Sequence, residues 1–368
     1  MRAYLLCLSV AAAVTYLLTP AVRRLAVRVH AMTPVRDRDV HAIPTPRLGG
    51  VAMLFGFAAA LLVGRELPLV QSVYEETDDP IALLSAAAIV CAVGAIDDKW
   101  GLDALTKFAG QTLAAGVMAL QGIQLLWIPL PRIGTFVLPP ELSTILTILV
   151  VVVMINAVNF VDGLDGLAAG IVAIGALAFF SYSYLFAVEG GYDRASTATL
   201  VTVVLGGMCL GFLPHNFSPA RIFMGDSGAM LIGLLLAAST ISLTGLLDPN
   251  AVGPSGFVAA FLPLILPFAV VALPFADLLL AIVRRTRAGR SPFAPDKQHL
   301  HHRLLEIGHS HARACLIMYL WAALIAFGAV AMALLNTPVA VATLVAGALL
   351  LVVLTANAPR VGVRGARS

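Results

Sequence analysis

Asparagines and aspartates are concentrated at the end of one apolar run, in the segment NAVNFVDGLDGLAAG. Asn156, Asn159 and Asp162 recur every three residues, so in a continuing helix they share one face. Amide and carboxylate oxygens grouped in this way suit a hard cation such as Mg²⁺. A helix cap explains one of these residues but not the whole group with Asp165. An aspartate in the middle of a spanning helix costs roughly 2.5 to 3.5 kcal/mol, so both aspartates must lie at a membrane edge or against a partner.

Two further carboxylates stand side by side in the segment GAIDDKWGLDALTKFAGQ. Asp97 and Asp98 repel each other at a helix end unless a cation or a proton intervenes. A divalent metal, or a phosphate-bearing substrate with its metal, would supply that cation; a solvated loop is the alternative. Lys107 follows in the same segment, and an ordinary helix ion pair with Asp103, four residues earlier, is a second interpretation of it.

Three more loops carry residues capable of chemistry. In GDSG, Asp226 either caps the following helix or binds a metal ion. In RDRDVHAIPTPRLGG, the prolines hold the chain extended around Arg47, and Gly49 and Gly50 permit close backbone approach; a basic loop facing lipid is the alternative. The loop near residue 300 offers a dense set of donors for phosphate oxygens, namely His299, His301, His302 and Arg303. Zinc is disfavoured there because the spacing fits no standard ligand pattern and no cysteine accompanies it.

Carboxylates and amides that can hold Mg²⁺, combined with cationic groups that can hold phosphate, indicate phosphoryl transfer. The elements that must position these residues are transmembrane helices. Of the 368 residues, 60% are hydrophobic and only 12% are charged, which excludes a soluble domain of this size. The four cysteines stand alone inside apolar runs, so we expect them to be buried small hydrophobes. No linker or repeat divides the chain, and we predict one membrane domain over residues 1–368.

Apolar stretches of about 17 to 25 residues predict membrane-spanning helices. We expect eleven, at residues 4–22, 48–64, 81–96, 108–130, 143–158, 167–188, 196–214, 229–247, 257–283, 315–335 and 339–356. The ninth carries Pro263, Pro267 and Pro274, so we expect it to be kinked or broken. The predicted fold is an all-α polytopic membrane protein.

Basic residues predict the orientation of these helices. With the N-terminus outside, nineteen of the 23 lysines and arginines fall in inner loops, so the C-terminus is cytoplasmic. All eight histidines and the polar segments then lie on the cytoplasmic side. Chemistry at that rim joins one soluble, phosphate-rich substrate to one lipid substrate, and we expect charge neutralisation to dominate the catalysis.

Five segments in this order resemble the polyprenyl-phosphate N-acetylhexosamine-1-phosphate transferases: HAIPTPRLGG, DDKWGLDALTK, NAVNFVDGLDGLAAG, FMGDSG and PDKQHLHHRL. The resemblance covers nearly the whole chain. The last segment and the eleven spans are similar to the branch that uses UDP-GlcNAc, whereas the phospho-MurNAc-pentapeptide enzyme carries a different histidine-rich segment and ten spans. The implied reaction converts UDP-GlcNAc and polyprenyl phosphate, undecaprenyl or decaprenyl, into polyprenyl diphosphate-GlcNAc and UMP, at the first membrane step of cell-envelope polysaccharide synthesis.

The resemblance also implies roles for individual residues. Asp226 and Asn159 become ligands of Mg²⁺, for which Mn²⁺ substitutes. Asp97 and Asp98 face the lipid phosphate, and Lys107 contacts phosphates. The remaining predicted site residues handle the nucleotide sugar or shape the site, namely Asp162, Asp165, His299, His301, His302, Arg303, Asn156 and Arg47. Direct attack by the lipid phosphate is favoured over a covalent phospho-aspartate, which stays open.

The resemblance further implies a bacterial inner-membrane protein with a cytoplasmic active site, a homodimer, and no nucleic-acid partner. A secondary transporter is the leading non-enzyme alternative, but transporter sites lie near the membrane midplane and these polar residues lie at one rim. A CDP-alcohol phosphotransferase is disfavoured because DGLDGLAAG lacks the Ala-Arg pair of that motif.

Overall fold

The protein is described here by a computed structural model, which covers residues 1–33, 44–130, 134–190, 196–246, 261, 286–287, 308–334 and 337–357. Helices dominate these ranges: α1 Arg2–Arg28, α2 Gly49–Arg65, α3 Pro68–Glu76, α4 Asp79–Trp100, α5 Ala104–Leu120, α6 Pro140–Val161, α7 Leu167–Gly190, α8 Thr197–Asn216, α9 Gly225–Leu246, α10 His311–Leu334 and α11 Thr337–Ala356. A helix satisfies its own backbone hydrogen bonds, which a chain in lipid requires.

Eight of the described helices are long and apolar enough to cross a membrane: α1, α4, α6, α7, α8, α9, α10 and α11. The short helices α2 and α3 meet at a bend of 100°, and as one broken span they bring the number to nine. The protein is therefore a polytopic membrane protein. The predicted ninth span at 257–283 lies outside the described residues apart from Phe261, so its kink and the total of eleven stay predictions.

The fourth predicted span, 108–130, is wrong in its second half. Helix α5 ends at Leu120, and the chain then forms a short antiparallel hairpin of β1 Trp127–Leu130 and β2 Gly134–Val137. The residues of β1 are apolar and therefore continue the apolar stretch of α5. Pro129 among them has no N–H to donate to a helical hydrogen bond. The all-α prediction thus missed one small sheet, and also the nine-residue helix α3.

Helix α9 lies at the centre of the bundle. Of the apolar stretch of α9, 89% is buried inside the protein, compared with 11% of that of α11 at the periphery. Helices α4, α6, α8 and α2 pack around α9, while α1 packs on α8 and α2. Because α9 begins at Gly225, the residues around its first turn are enclosed by its neighbours on several sides.

Small residues allow these helices to approach closely, as is common in membranes. Gly207 and Gly211, one turn apart on α8, face the backbone of α1, and a Cβ at either position would overlap it. Gly50 on α2 meets the backbone of α9 at Gly228 in the same way. The four cysteines are all buried and unpaired, which confirms the prediction made for them.

Several element ends gather at one end of the bundle. The C-terminal turns of α4 and α6 and the first turns of α5 and α9 meet there through side-chain hydrogen bonds. The segment 44–50, the α6–α7 loop and the α8–α9 loop lie at the same end. Backbone hydrogen bonds join the first of these to the α8–α9 loop, and the Asp165 side chain joins the second to it. This end carries the described residues of all the predicted site motifs.

Candidate active site

The adjacent aspartates at the end of α4 have different hydrogen-bond partners. Asp97 accepts a hydrogen bond of 3.0 Å from Lys107 Nζ. Asp98 instead accepts from the backbone N–H of Asp226 at 2.8 Å and from the N–H and Oγ of Ser227 at 3.1 and 2.8 Å. The sequence predicts that this pair needs a cation or a proton. The structure brings a cation to Asp97 and surrounds Asp98 with neutral donors.

Lys107 reaches the site from the first turn of α5. That helix begins with Asp103 as its N-cap, whose carboxylate accepts hydrogen bonds of 3.0 Å from the backbone N–H groups two and three residues ahead. Lys107 forms its ion pairs with Asp97 and Asp226. The alternative of an ordinary Asp103–Lys107 ion pair is therefore wrong, because the Asp103 carboxylate is used at the helix start.

Asp226 in the first turn of α9 completes the cluster. Its Oδ1 accepts from both Lys107 Nζ and Asn159 Nδ2. The side chains of Asp226 and Lys107 retain 17% and 22% of their exposure, so the cluster can be reached from outside the protein. Two carboxylates, one carboxamide and one ammonium group thus converge from α4, α5, α6 and α9; we call Asp97, Lys107, Asn159 and Asp226 the carboxylate cluster.

Asn156, one turn before Asn159 on α6, has a different partner. Its Nδ2 donates to Gln111 Oε1 on α5 and to the carbonyl oxygen of Val152, both at 2.8 Å. Gln111 is 1% exposed. The amide of Asn156 therefore joins α6 to α5 beside the carboxylate cluster, and its predicted contact with substrate stays a prediction.

The loop between α6 and α7 contains the other two aspartates of the motif. Asp162 follows α6, and burial together with the negative charges of Asp226 and Asp98 raises the pKa of its carboxyl to about 7, while Arg47 opposes this rise. Asp165 points toward the α8–α9 loop, where its Oδ2 accepts a hydrogen bond of 3.0 Å from the N–H of Ala220. Asp162 thus lies in the electrostatic field of the carboxylate cluster, and Asp165 fixes the loop.

The backbone of the α6–α7 loop is held from two further helices. Gly166 has a φ of +77°, which favours glycine, and its N–H donates to Asn216 Oδ1 at the end of α8. The carbonyl oxygen of Gly166 accepts a hydrogen bond of 2.5 Å from Tyr319 on α10. The ring of Tyr319 also fills the space that a Cβ at Gly170 would need. This loop is therefore set by tertiary contacts.

The segment before α2 forms backbone hydrogen bonds with the turn that leads into α9. Phe223 N–H donates to the carbonyl oxygen of Pro46, and the N–H groups of Gly49 and Gly50 donate to the carbonyl oxygens of Phe223 and Met224. A Cβ at either glycine would overlap neighbouring atoms. The predicted close backbone approach at Gly49 and Gly50 is confirmed.

Arg47 belongs to the same segment before α2. Its Nε donates to Thr33 Oγ1 at 2.6 Å, and its own N–H donates to the carbonyl oxygen of Ala31. The guanidinium group acts to lower the pKa of Asp162, although burial raises that pKa by more. The positive charge of Arg47 is therefore close enough to act on the α6–α7 loop. Its predicted role in binding substrate remains a prediction. The other predicted donors, His299, His301, His302 and Arg303, lie outside the described residues.

Sequence reasoning missed several residues that shape the site. Ser227 stands inside the quoted GDSG segment, but its contact with Asp98 joins positions 129 residues apart. Gln111 closes the quoted segment GAIDDKWGLDALTKFAGQ without being singled out there, and Asn216 and Tyr319 lie outside the quoted segments. Each is a polar side chain in an otherwise apolar helix, and this is the one signal that marks them for attention.

The donors of the site fit a divalent metal that shares its ligands with a substrate. Among the described residues, no three His, Cys, Asp or Glu side chains are grouped as a complete metal site. Mg²⁺ commonly takes one or two protein carboxylates and completes its coordination with water and substrate phosphates. The Asp226 carboxylate already attracts one cation, the Lys107 ammonium, and Asn159 beside it retains an oxygen acceptor. These two residues therefore suit such an ion.

The chain is similar to several known proteins. Residues 80–244, which include Asp97, Lys107, Asn159 and Asp226, match the family described as glycosyl transferase family 4. The decaprenyl-phosphate N-acetylglucosaminephosphotransferase of Mycobacterium tuberculosis strain H37Rv is 48% identical over 87% of this chain and 80% of its own length.

More distant relatives extend the comparison. A probable undecaprenyl-phosphate N-acetylglucosaminyl 1-phosphate transferase of Bacillus subtilis strain 168 is 32% identical over 83% of this chain and 78% of its own length. A phospho-N-acetylmuramoyl-pentapeptide-transferase of Mycolicibacterium smegmatis is 30% identical over 66% of this chain and 77% of its own length. Because the similarity to the N-acetylglucosamine enzymes spans most of both chains, this protein belongs to glycosyl transferase family 4, among the polyprenyl-phosphate N-acetylglucosamine-1-phosphate transferases.

Proposed function

We propose that the protein transfers GlcNAc-1-phosphate from UDP-GlcNAc to polyprenyl phosphate, releasing UMP and forming polyprenyl diphosphate-GlcNAc. This is the first membrane step of a cell-envelope polysaccharide. The observation that carries the proposal is the carboxylate cluster, in which four helices bring two carboxylates, a carboxamide and an ammonium group together at one end of a membrane bundle. Relatives with the same named activity support it. Decaprenyl phosphate is the first acceptor to test, because it appears in the names of the 48% identical relatives.

Asp226 and Asn159 would hold Mg²⁺, with Mn²⁺ as a substitute. When bound, the ion neutralises negative charge on the diphosphate and lowers the barrier to displacement at phosphorus. The chain's own contribution is to hold an acidic and an amide side chain at one point, 67 residues apart in sequence, with Lys107 beside them. Lys107 adds a second positive charge that phosphate oxygens can share.

The lipid phosphate approaches Asp97 and Lys107 in this proposal. A phosphate monoester has its second pKa near 6, so much of the lipid phosphate is dianionic at neutral pH and needs little help from a base. One of its oxygens attacks the sugar-linked phosphorus of UDP-GlcNAc, and the bond from that phosphorus to the UMP oxygen breaks. Lys107 screens the repulsion between the incoming phosphate and Asp97, because its ammonium lies 3.0 Å from the Asp97 carboxylate.

The nucleotide sugar lies toward the α6–α7 loop. Asp162 and Asp165 shape that side of the site, the latter through its hydrogen bond to Ala220. Arg47, Asn156 and the group His299, His301, His302 and Arg303 are the proposed contacts to the diphosphate, the sugar and the nucleotide. His301→Ala should mainly weaken the handling of UDP-GlcNAc. An unchanged apparent affinity and rate would remove His301 from the site.

We place the protein in the bacterial inner membrane with its N-terminus outside and the carboxylate cluster at the cytoplasmic face. The bias of Lys and Arg toward the same side supports this orientation. UDP-sugars are cytoplasmic, so the donor reaches the cluster without crossing the bilayer. A homodimer is proposed as the oligomeric state.

The test is isotope exchange between radiolabelled UMP and UDP-GlcNAc in purified protein. Exchange that requires polyprenyl phosphate and Mg²⁺ supports the proposal and direct attack by the lipid. Exchange without any lipid acceptor indicates a covalent phospho-enzyme instead. If UDP-GlcNAc fails where another UDP-sugar exchanges, the substrate assignment is wrong. A secondary transporter would give no exchange in detergent.

A further inference from the structure

Asp98 has a different environment from Asp97, its neighbour in the sequence. Its side chain is buried, with 5% exposure for the residue, and both carboxylate oxygens accept hydrogen bonds. All three donors belong to the start of α9: the backbone N–H groups of Asp226 and Ser227 and the Ser227 hydroxyl. Asp98 is thus turned toward a neighbouring helix, whereas Asp97 is turned toward Lys107.

The donors to Asp98 are groups that a helix cannot satisfy by itself. The first N–H groups of an α-helix have no partner within the helix, and a negative charge near that end is favourable. These groups are usually satisfied by a side chain just before the helix. Helix α9 begins at Gly225, and Met224 before it has no side-chain oxygen to accept these hydrogen bonds, so Asp98 on α4 supplies the missing cap from another helix.

The packing around this contact leaves little freedom. Gly225 has a φ of +71°, and a Cβ there would overlap the Asp98 carboxylate. Gly94, one turn before Asp98 on α4, lies so close to Ser227 that a Cβ would be 2.5 Å from its backbone. Helices α4 and α9 therefore meet through glycines on both sides of the Asp98 hydrogen bonds.

This contact fixes the direction of the Asp226 side chain. Since the Asp226 N–H is held by Asp98, its carboxylate projects to the other side, toward Lys107 and Asn159. We infer that Asp98 is a positioning residue, which caps α9 from α4 and so holds the Asp226 carboxylate at the carboxylate cluster, without touching substrate itself. The inference rests on the proposed function for what Asp226 does there. The two adjacent aspartates then have separate roles, in place of the shared role at the lipid phosphate expected from the sequence.

A double-mutant cycle between Asp98→Asn and Ser227→Ala tests the inference. The probe is Mn²⁺ alone, bound to purified protein without substrate and measured by electron paramagnetic resonance. Each single variant should bind Mn²⁺ about 10-fold more weakly, because each disturbs a hydrogen bond to a charged group. The double variant should be no weaker than Asp98→Asn, because both changes remove the same contact. The dissociation constant for Mn²⁺ is a property of the folded molecules. A variant that only lowered the folded fraction would therefore leave this constant unchanged.

Ser239→Ala is the matched control. Ser239 is also a buried serine on α9, and its Oγ donates to the carbonyl oxygen of Leu235, away from the carboxylate cluster. Its Mn²⁺ affinity and turnover should equal those of the unmutated protein. Ser227→Ala keeps both backbone donors to Asp98, so it remains informative if Asp98→Asn does not fold.

Turnover separates the inference from the proposed function. In Ser227→Ala, the kcat for UMP release should fall while the KM for UDP-GlcNAc stays unchanged. If Ser227→Ala binds Mn²⁺ and turns over like the unmutated protein while Asp98→Asn is inactive, Asp98 acts directly and the inference is wrong. Additive effects in the cycle would also overturn it. If the unmutated protein releases no UMP, the proposed function fails, and the coupling between the two variants in thermal unfolding still tests the cap.

Discussion

The ammonium group of Lys107 neutralises two carboxylates from different helices, Asp97 on α4 and Asp226 on α9. Asp97 lies ten residues before Lys107, whereas Asp226 lies 119 residues after it. The cluster is therefore formed only when α4, α5 and α9 are packed. The Asp226 and Lys107 side chains remain partly exposed, so their ion pair adds little to the stability of the fold. We therefore expect the charges to serve the reaction.

We predict that Asp226→Asn abolishes turnover but leaves the protein folded. The substitution keeps the size of the side chain and removes the negative charge that attracts a cation, so UMP release should fall by at least about 100-fold. The melting temperature in detergent should stay close to that of the unmutated protein. Glu76→Gln, an exposed carboxylate at the end of α3, is the control and should keep full activity. Near-normal turnover of Asp226→Asn would show that this carboxylate is not a metal ligand.

We predict a pH effect on stability that depends on Asp162. Its pKa in the folded protein is about 7, above the ordinary value of 3.8, so the folded state binds the proton more tightly than the unfolded state. The contribution of Asp162 to stability is therefore present at low pH and is lost as the pH rises through about 7. In metal-free protein, the melting temperature should fall between about pH 4 and about pH 7, and Asp162→Asn should reduce this slope.

Asp165→Asn is the comparison for the pH experiment, because Asp165 belongs to the same loop and has its own hydrogen bond to Ala220. Its negative charge is the smallest of the named causes that raise the pKa of Asp162, so Asp165→Asn should reduce the slope only slightly. An equal slope in Asp162→Asn and in the unmutated protein would show that Asp162 is not the titrating group.

The types and spacing of residues, together with the resemblance to the transferase family, predicted that Asp97, Lys107, Asn159 and Asp226 belong to one site. They were not enough to predict the partner of each. Asn156 shares a helix face with Asn159, yet its amide is drawn to Gln111, because the nearest polar group across the α5–α6 contact decides the hydrogen bond. Sequence spacing describes one helix at a time, whereas these partners come from two.

At the level of elements, the turn before α9 is fixed by two neighbours at once. The segment 44–50 pairs with its backbone, and Asp98 accepts hydrogen bonds from the first residues of α9. The glycines of GDSG, which read as a weak signal in the sequence, are required by this double contact. Gly225 needs its positive φ, and Gly228 lies against Gly50.

We predict that Gly225→Ala lowers both stability and turnover. Alanine at a φ of +71° costs roughly 1 to 2 kcal/mol, and its Cβ would also displace the Asp98 carboxylate. Gly245→Ala at the far end of the same helix meets no atom within 4 Å and should be neutral or slightly stabilising. Thermal unfolding and UMP release, measured on both variants, check this. Equal behaviour of the two would contradict the packing described for the turn.

We predict that Tyr319→Phe weakens the handling of UDP-GlcNAc. The ring that packs on Gly170 is kept, and only the hydrogen bond to the carbonyl oxygen of Gly166 is lost. Losing one such bond is worth about 1 kcal/mol, so the KM for UDP-GlcNAc should rise by about 5-fold with little change in kcat. Tyr74→Phe on α3 is the control, since its hydroxyl makes the same kind of hydrogen bond, to the carbonyl oxygen of Leu61 on α2. An unchanged KM in Tyr319→Phe would mean that α10 does not position this loop for substrate.

Hydropathy predicts the long helices of this protein well, because an apolar stretch in lipid must satisfy its own backbone hydrogen bonds and a helix does so. It fails where the chain leaves the membrane. The hairpin of β1 and β2 follows α5 without a break in apolar character, so composition alone could not show that the helix ends at Leu120. The bend between α2 and α3 is likewise set by Pro68 at the start of α3 and by contacts such as that from Tyr74 to the carbonyl oxygen of Leu61.

For the whole molecule, we predict the side of the membrane on which the carboxylate cluster lies. The native cysteines are all buried, so probe cysteines can be read against a low background. Gly163→Cys lies in the α6–α7 loop, where a side chain meets no atom within 4 Å, and Glu76→Cys lies exposed at the end of α3. In intact cells, a membrane-impermeant maleimide should label Glu76→Cys and should label Gly163→Cys only after the membrane is opened. This follows because nineteen of the 23 basic residues lie on the cluster's side in the predicted topology. Labelling of Gly163→Cys from outside would place the cluster away from cytoplasmic UDP-GlcNAc, and the proposed reaction would lose its donor.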